Sequence, residues 1–256
     1  MDLGIKGRRA ILCGASKGLG KGCALALAEE GVDLWIVARG EEALAATARE
    51  LAALGAGKVT AVVADVTTDG GRDAILSACP APDILITNAA GPPPGDFRQW
   101  GQRDWFEAVN ANMFSAIDLI RRTLDGMVAR RFGRIVNITS FSVKQPVPGL
   151  GLSTAARAGL TGFVAALARE HVRDNVTLNN LLPGYFDTDR GRAVIARAAA
   201  GTGEDAGEYP RRHLNAGRLG SIEEFGAACA FLCGARAGYI SGQNILLDGG
   251  EYPGIF

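Results

Sequence analysis

The sequence predicts an α/β fold, a doubly wound parallel sheet of about seven strands with helices on both faces, forming one domain over residues 1–256. Three observations predict it. Short continuous apolar runs alternate with stretches in which apolar residues recur at helical spacing, as in parallel strands buried on both faces and joined by crossover helices. The turn Cys13-Gly14-Ala15-Ser16-Lys17-Gly18-Leu19-Gly20 joins the first apolar run to the first helical stretch. A length of 256 residues, 48% of them hydrophobic, is enough for one large core, and no repeat, linker or low-complexity segment interrupts it.

In order, Arg9 to Gly14 reads as the first strand, and the apolar stripe in Gly22-Cys23-Ala24-Leu25-Ala26-Leu27-Ala28 places a helix over Lys21 to Glu30. Leu34 to Ala38 is the second strand and ends at Arg39. An Ala- and Leu-rich helix follows from Glu41 to Leu54, then a third strand, Val59 to Val63, that runs to Asp65, then a weaker helix to Ala78. Ile84-Leu85-Ile86 is the fourth strand, and the breakers Gly91-Pro92-Pro93-Pro94-Gly95 make a loop. One long helix is expected from Asp104 to about Arg130. The fifth strand, Arg134 to Ile138, leads into Thr139-Ser140, and residues 142–152 read as loop. An Ala/Gly-rich helix over Ala155 to Val172 precedes the sixth strand, Val176 to Leu182, which Pro183-Gly184 stops. Residues 185–217 are expected to be irregular and, being longer than an ordinary connector, to form a substrate lid. Ser221-Ile222-Glu223-Glu224 is a capping box opening a helix to Cys233, and Ile245-Leu246-Leu247 is the last strand before Asp248-Gly249-Gly250.

Lys and Arg number 27 against 27 Asp and Glu, spread along the chain, so bulk electrostatics offers no surface for nucleic acid or membrane. The expected partner is small. Five cysteines without a CxxC or Cys/His ligand spacing argue against a disulfide framework and against a metal site; Cys229 and Cys233 share a helix face and read as core. With no apolar leader and no run of about 18 apolar residues, the protein is expected to be soluble and cytoplasmic.

The glycine-rich turn has the chemistry of a phosphate cradle. Glycine lets the backbone turn sharply and approach a diphosphate closely, and the following helix offers free N–H groups and a partial positive charge. The alternative is a tight strand-to-helix turn with no ligand.

With these pieces placed, the chain resembles the short-chain dehydrogenase/reductase family, most closely its 3-oxoacyl-acyl-carrier-protein reductase-like members, which implies a Rossmann-type sheet. Gly14-Ala15-Ser16-Lys17-Gly18-Leu19-Gly20 matches the family's phosphate turn, and Asp65-Val66 the pair that meets the adenine. Thr87-Asn88-Ala89-Ala90-Gly91 resembles the NNAG segment with Thr and Ala substituted, which implies Asn88 and Ala89 beside the cofactor. Pro183-Gly184 and Thr188 match the segment that holds the nicotinamide carboxamide, and Ser241-Gly242-Gln243 with Asp248-Gly249-Gly250 matches the C-terminal signature. Each motif has a plainer reading: Asp65 as a helix cap, Asn88 as a turn brace, Thr188 as a cap of the lid.

The family's catalytic centre is Asn, Ser and a YxxxK pair. Asn112 and Ser140 fit, but the Tyr and Lys positions fall on Ser153 and Arg157, and no other tyrosine has a lysine four residues on. A tyrosine with a reference pKa near 10 can be tuned by a neighbouring ammonium to give up a proton near neutrality, whereas a serine does so poorly. Arg157 is a fixed cation that can hydrogen-bond the nicotinamide ribose but relays no proton. Lys144, four residues past Ser140, is the candidate replacement donor, with a solvated loop lysine as the alternative; Tyr185 is a second candidate, with apolar packing as its alternative. His171 reads as a helix-end residue and His213 as part of the lid.

Arg39 stands where relatives that prefer NAD carry an acid, and Lys17 adds a second cation beside the phosphate turn, which together imply NADP(H). The resemblance also implies a small carbonyl or alcohol substrate and a homotetramer. The helix over Ala155 to Ala168 and the tail Tyr252 to Phe256 are candidate interfaces, or equally core. The expected activity is NADP(H)-dependent keto reduction with an atypical centre; the alternative is a cofactor-binding protein without redox turnover, acting as sensor or partner subunit.

Overall fold

The computed structural model describes residues 2–55 and 57–255. Strands β1 (Arg9–Cys13), β2 (Asp33–Ala38), β3 (Val59–Val63), β4 (Ile84–Thr87), β5 (Gly133–Ile138), β6 (Val176–Pro183) and β7 (Asn244–Leu247) pair in parallel as one sheet ordered β3-β2-β1-β4-β5-β6-β7. The helices are α1 (Gly18–Glu29), α2 (Glu41–Ala53), α3 (Asp69–Ala78), α4 (Gln102–Val109), α5 (Ser115–Ala129), α6 (Gly151–His171), α7 (Asp189–Thr202), α8 (Tyr209–His213) and α9 (Ile222–Cys233). The doubly wound architecture is the one the apolar runs predict.

Every residue of β5 is buried because helices cover both sheet faces. On one face α1, α2 and α9 pack Cys23, Leu27, Leu44 and Phe225 against Ile36 and Ile86; on the other, α3, α5 and α6 pack Ile75, Leu119, Leu160 and Val164 against Leu85 and Ile135. Two glycines bring α1 against α9: a Cβ on Gly22 would lie 2.1 Å from the Ile222 carbonyl oxygen, and one on Gly226 would lie 2.1 Å from that of Gly22. Cys229 and Cys233 are fully buried, as their shared helix face predicts.

The strand order reverses between β1 and β4, so a crevice opens at their carboxyl ends, the place where α/β sheets bind ligands. A polar line crosses the second face at that end. Thr87 Oγ1 donates to Asn137 Oδ1 (2.6 Å), Asn137 Nδ2 to Asn180 Oδ1 (3.0 Å) and Asn180 Nδ2 to Asn244 Oδ1 (2.8 Å), each pair being register neighbours on adjacent strands. Each buried amide is thereby satisfied by the next strand, which fixes the floor of the crevice.

Four expectations are corrected. The first helix begins at Gly18, not Lys21, because the phosphate turn closes directly into it. The helix expected over Asp104 to Arg130 is α4 and α5 joined by a π-helical turn, Asn110–Phe114, in which i→i+5 bonding shifts the register. Residues 142–152 are not all loop: α6 begins at Gly151, four residues before the predicted Ala155, so Ser153 is helical. Residues 185–217 are not irregular but carry α7 and α8. Thr188 Oγ1 caps α7 by accepting the Gly191 N–H at 3.0 Å, and Gly203 (φ 72°) ends it. The capping box of α9 stands as expected, with Glu224 N–H donating to Ser221 Oγ at 3.2 Å and Ser221 N–H to Glu224 Oε2 at 2.8 Å.

Candidate active site

The glycine turn is built around absent side chains. Gly14 (φ 64°) and Gly18 (φ 57°) take left-handed backbone. A Cβ on Gly20 would lie 2.3 Å from the Gly14 carbonyl oxygen, and one on Gly14 would lie 2.6 Å from Asn88 Nδ2. The Asn88 side chain is therefore packed against the turn. Around it, Ala15 N–H bonds the Val37 carbonyl (3.1 Å), the Ser16 carbonyl accepts from Thr47 Oγ1 (3.1 Å), and Leu19 packs on the core. Lys17, the N-cap residue of α1, supplies no side-chain cap, so N–H groups of the first turn remain available to an anion. The Thr188 methyl carbon would be 3.4 Å from a Cβ on Gly18, which brings α7 over the same turn. Pro183 ends β6, and Gly184 N–H bonds Leu247 O at 2.8 Å; a Cβ on Gly184 would sit 2.7 Å from that of Asp248. The open N–H groups and the side-chain-free cradle fit a dinucleotide diphosphate.

At the other end of the crevice, Arg39 is exposed, with Asp65 3.8 Å away. Burial acts to raise the Asp65 carboxyl's pKa, but hydrogen bonds from Thr67 N–H (2.9 Å) and Thr67 Oγ1 (2.7 Å), with Arg39 beside it, hold it below the usual range. Asp65 thus shapes a turn rather than capping α3, whose cap is Thr68. The Val66 carbonyl takes Arg72 Nη1 at 2.8 Å. Lys17 and Arg39 lie on different acids, because Lys17 Nζ donates to Asp189 Oδ2 of α7 at 2.8 Å.

Two of the candidate side chains, Arg157 and Asn112, meet the segment after β4. Arg157 Nη2 reaches Ala89 O (3.4 Å) and Asn112 Nδ2 reaches Ala90 O (3.1 Å). The π-helical turn presents Asn112 there, leaving its buried Oδ1 without a protein partner among the described residues. It lines a cavity of about 10 Å³ with Thr87, Asn88, Ser115 and Arg157, the room of roughly one water. Arg157 also donates from Nη1 to Ile138 O (2.8 Å) and from Nε to Ser153 Oγ (3.1 Å), one helical turn back. Burial, with Arg190 nearby, brings its pKa down to about 10, so it remains a cation at neutral pH. Ser140 Oγ accepts the Ser142 N–H at 3.1 Å.

Of the replacement donors, Lys144 has its ammonium 5.9 Å from the Tyr252 ring centroid. Tyr185 packs on Phe141, ring centroids 5.6 Å apart, and burial, with Glu251 and Tyr209, raises its pKa, which makes it a poorer acid. His171 ends α6, while His213, at the end of α8, pairs with Glu204 at 2.8 Å. Sequence reasoning missed Arg190, whose Nη1 and Nη2 lie 3.3 and 3.4 Å from the Gly91 and Pro92 carbonyl oxygens. Its position two residues past Thr188 was the available signal.

The chain is similar along most of its length to known proteins. A family model described as enoyl-(acyl carrier protein) reductase matches residues 14–251. The 3-oxoacyl-[acyl-carrier-protein] reductase FabG of Pseudomonas aeruginosa is 32% identical over 253 residues, covering 98% of this chain and 99% of that protein. L-sorbose reductase from Gluconobacter frateurii, solved with NADPH and L-sorbose, superposes with a TM-score of 0.92 at 30% identity, covering 100% of both chains. A 3-oxoacyl (acyl-carrier-protein) reductase from Agrobacterium tumefaciens C58, solved with NADP bound, gives 0.87 at 29% identity, covering 97% of this chain and 96% of that one. A match of this extent, on a crevice with this glycine cradle, makes the chain a member of the short-chain dehydrogenase/reductase family.

Proposed function

We propose that the protein is an NADP(H)-dependent reductase of a keto group, 3-oxoacyl thioester-like, with Ser153 and Arg157 in place of the family's Tyr and Lys. The observation that carries this reading is the Arg157–Ser153 bond. A hydroxyl that accepts from a guanidinium is polarised, and its own hydrogen is left to point elsewhere. Ser140 Oγ also accepts, from the neutral Ser142 N–H, which likewise leaves its own hydrogen to point elsewhere. When bound, the nicotinamide supplies the hydride that adds to the carbonyl carbon. Negative charge then grows on the oxygen, where the hydroxyls of Ser140 and Ser153 donate hydrogen bonds and the Arg157 cation favours the charge. Asn112 fixes the Ala90 carbonyl beside them. Lys144 delivers the proton that completes the alcohol.

Gly14, Ser16, Gly18, Leu19 and Gly20 hold the diphosphate, Asp65 and Val66 the adenine side, Asn88 and Ala89 the ribose side, and Pro183, Gly184 and Thr188 the carboxamide. Both solved relatives described above carry NADPH or NADP, and the residue directly after β2 is Arg39 rather than an acid, so Arg39 and Lys17 are assigned to a 2′-phosphate. Arg39→Ala is expected to raise the NADPH dissociation constant about tenfold with little effect on NADH. Similar affinities for both cofactors, unaffected by the substitution, overturn the assignment.

The test of function is NADPH oxidation with an acetoacetyl thioester. The natural chain is expected to turn over, and Lys144→Ala to lower kcat by about 100-fold. Unchanged turnover in that variant removes Lys144 from the mechanism. NADPH binding without oxidation on any carbonyl substrate favours the second reading, a cofactor-binding sensor or partner subunit, which the Tyr and Lys replacements support.

As an assembly, a homotetramer fits the small-residue helix over Ala155 to Ala168 and the exposed Phe106, Val109 and Phe114; of the tail candidates, Phe256 lies outside the described residues. Light scattering is expected to give four times 26.7 kDa, and a monomer removes the claim. Among the described residues no helix is long and apolar enough to cross a membrane, and the buried free thiols suit a reducing cytoplasm.

A further inference from the structure

Helix α7 begins Asp189-Arg190, and the acids at its start are taken. Asp189 accepts from Lys17 Nζ and Arg192 Nη2, both at 2.8 Å, and Asp187 from Arg192 Nη1 at 2.5 Å. Arg190 turns the other way, across the mouth of the crevice, to the carbonyls of Gly91 and Pro92 at 3.3 and 3.4 Å, the long end of hydrogen bonding. Neither Arg190 nor Arg157 has a carboxylate partner among the described residues.

The carbonyls of residues 89 to 92 are thus met by Arg157, Asn112 and Arg190 in turn. One guanidinium is buried at the floor and the other is exposed at the rim, close enough for Arg190 to repel the charge on Arg157. The positive end of the α7 dipole opposes a cation at this first-turn position as well. An anion bound at the exposed Arg190 guanidinium offsets both repulsions. Guanidinium geometry suits the two oxygens of a carboxylate, and Pro92-Pro93-Pro94 stiffens the loop against which Arg190 rests. A Cβ on Gly91 would lie 2.9 Å from Arg190 Nη1, so the glycine leaves room for the approach.

We propose that Arg190 is a specificity residue that binds a free carboxylate on the oxo substrate, holding the keto carbon against Ser140 and Ser153. The proposal rests on the reading of this site as a carbonyl-reducing one, and it narrows the substrate class from 3-oxoacyl groups in general to oxo acids. The same charge chemistry is offered by the cofactor diphosphate, and the test separates the two sources.

Protein loaded with NADP⁺ is titrated calorimetrically with acetoacetate and with its methyl ester, using the natural chain, Arg190→Gln and Arg190→Lys. Because Arg190 is exposed, neither substitution threatens folding. The natural chain is expected to bind the acid at least about tenfold more tightly than the ester, Arg190→Gln to bring the ratio close to one, and Arg190→Lys to keep part of it. A ratio that Arg190→Gln does not change overturns the proposal. So does an equal loss of NADP⁺ affinity in that variant, which assigns the guanidinium to the diphosphate. NADPH oxidation is followed in parallel: acid-selective binding without oxidation upholds the anion site and removes the reductase reading, while equal oxidation of acid and ester does the reverse.

Discussion

A Gly20→Ala chain is expected to keep its sheet and to lose NADPH affinity by about 100-fold. The added Cβ would stand 2.3 Å from the Gly14 carbonyl oxygen, 2.8 Å from the Gly14 carbonyl carbon and 3.1 Å from Asn88 Nδ2. Two of those atoms are backbone, which cannot swing aside as the tip of a lysine does. The turn must open, and opening it displaces the uncapped N–H groups of α1 from the position where a diphosphate would meet them. Stability falls too, by about 1–3 kcal/mol for an overpacked site, so affinity is read well below the melting temperature of the variant. Gly70→Ala is the control: it lies in the first turn of α3, and a Cβ there meets nothing within 4 Å. Normal NADPH binding by Gly20→Ala would mean that the cradle is not the cofactor site.

How much of this was readable beforehand follows from the range of the interactions. The strands were legible because burial on both faces leaves a continuous apolar run, as in Leu34 to Ala38, and the glycine turn because its residues are contiguous. Asn112 and Ser140 were singled out by the family resemblance, and the structure sets Asn112 and Arg157 on the neighbouring carbonyls of Ala90 and Ala89. The π-helical turn was not legible, since Asn110-Ala111-Asn112-Met113-Phe114 has nothing in its local pattern to separate i→i+5 from i→i+4 bonding. The early start of α6 was not legible because its N-cap residue, Leu150, supplies no capping side chain to mark it. Helix α8 spans only Tyr209–His213, and α7, rich in Arg and Ala, buries only Ile195 and Ala199, so neither shows the buried stripe by which α1 is recognised. The Thr87-Asn137-Asn180-Asn244 line and the Gly22–Gly226 crossing join residues far apart in the chain, and only strand register or helix packing brings them together. Arg190 escaped notice for the same reason: its partners, Gly91 and Pro92, lie almost a hundred residues earlier.

Restoring the family pair is expected to speed the reaction while weakening the fold. In a Ser153→Tyr, Arg157→Lys double variant, kcat for NADPH oxidation with an acetoacetyl thioester should rise by about 10²-fold or more, the usual worth of a positioned general acid. The gain comes from proton supply: a phenol beside an ammonium releases its proton near neutral pH, whereas Ser153 stabilises the oxyanion only by a hydrogen bond. The loss comes from geometry. Arg157 serves Ser153 Oγ, Ile138 O and Ala89 O with three different nitrogens of one planar fork, and a lysine ammonium cannot reproduce that spread. A buried carbonyl left without its donor costs about 1–3 kcal/mol, which a denaturation midpoint will register. The opposite signs are what make the experiment decisive. Faster turnover with lower stability means that cofactor and substrate sites are intact and that the natural chain works with a weaker donor. Slower turnover in the double variant, with NADPH affinity retained, means instead that Ser153 and Arg157 form a working couple in their own right, one whose hydrogen bond at 3.1 Å is matched to a substrate that a tyrosine would crowd.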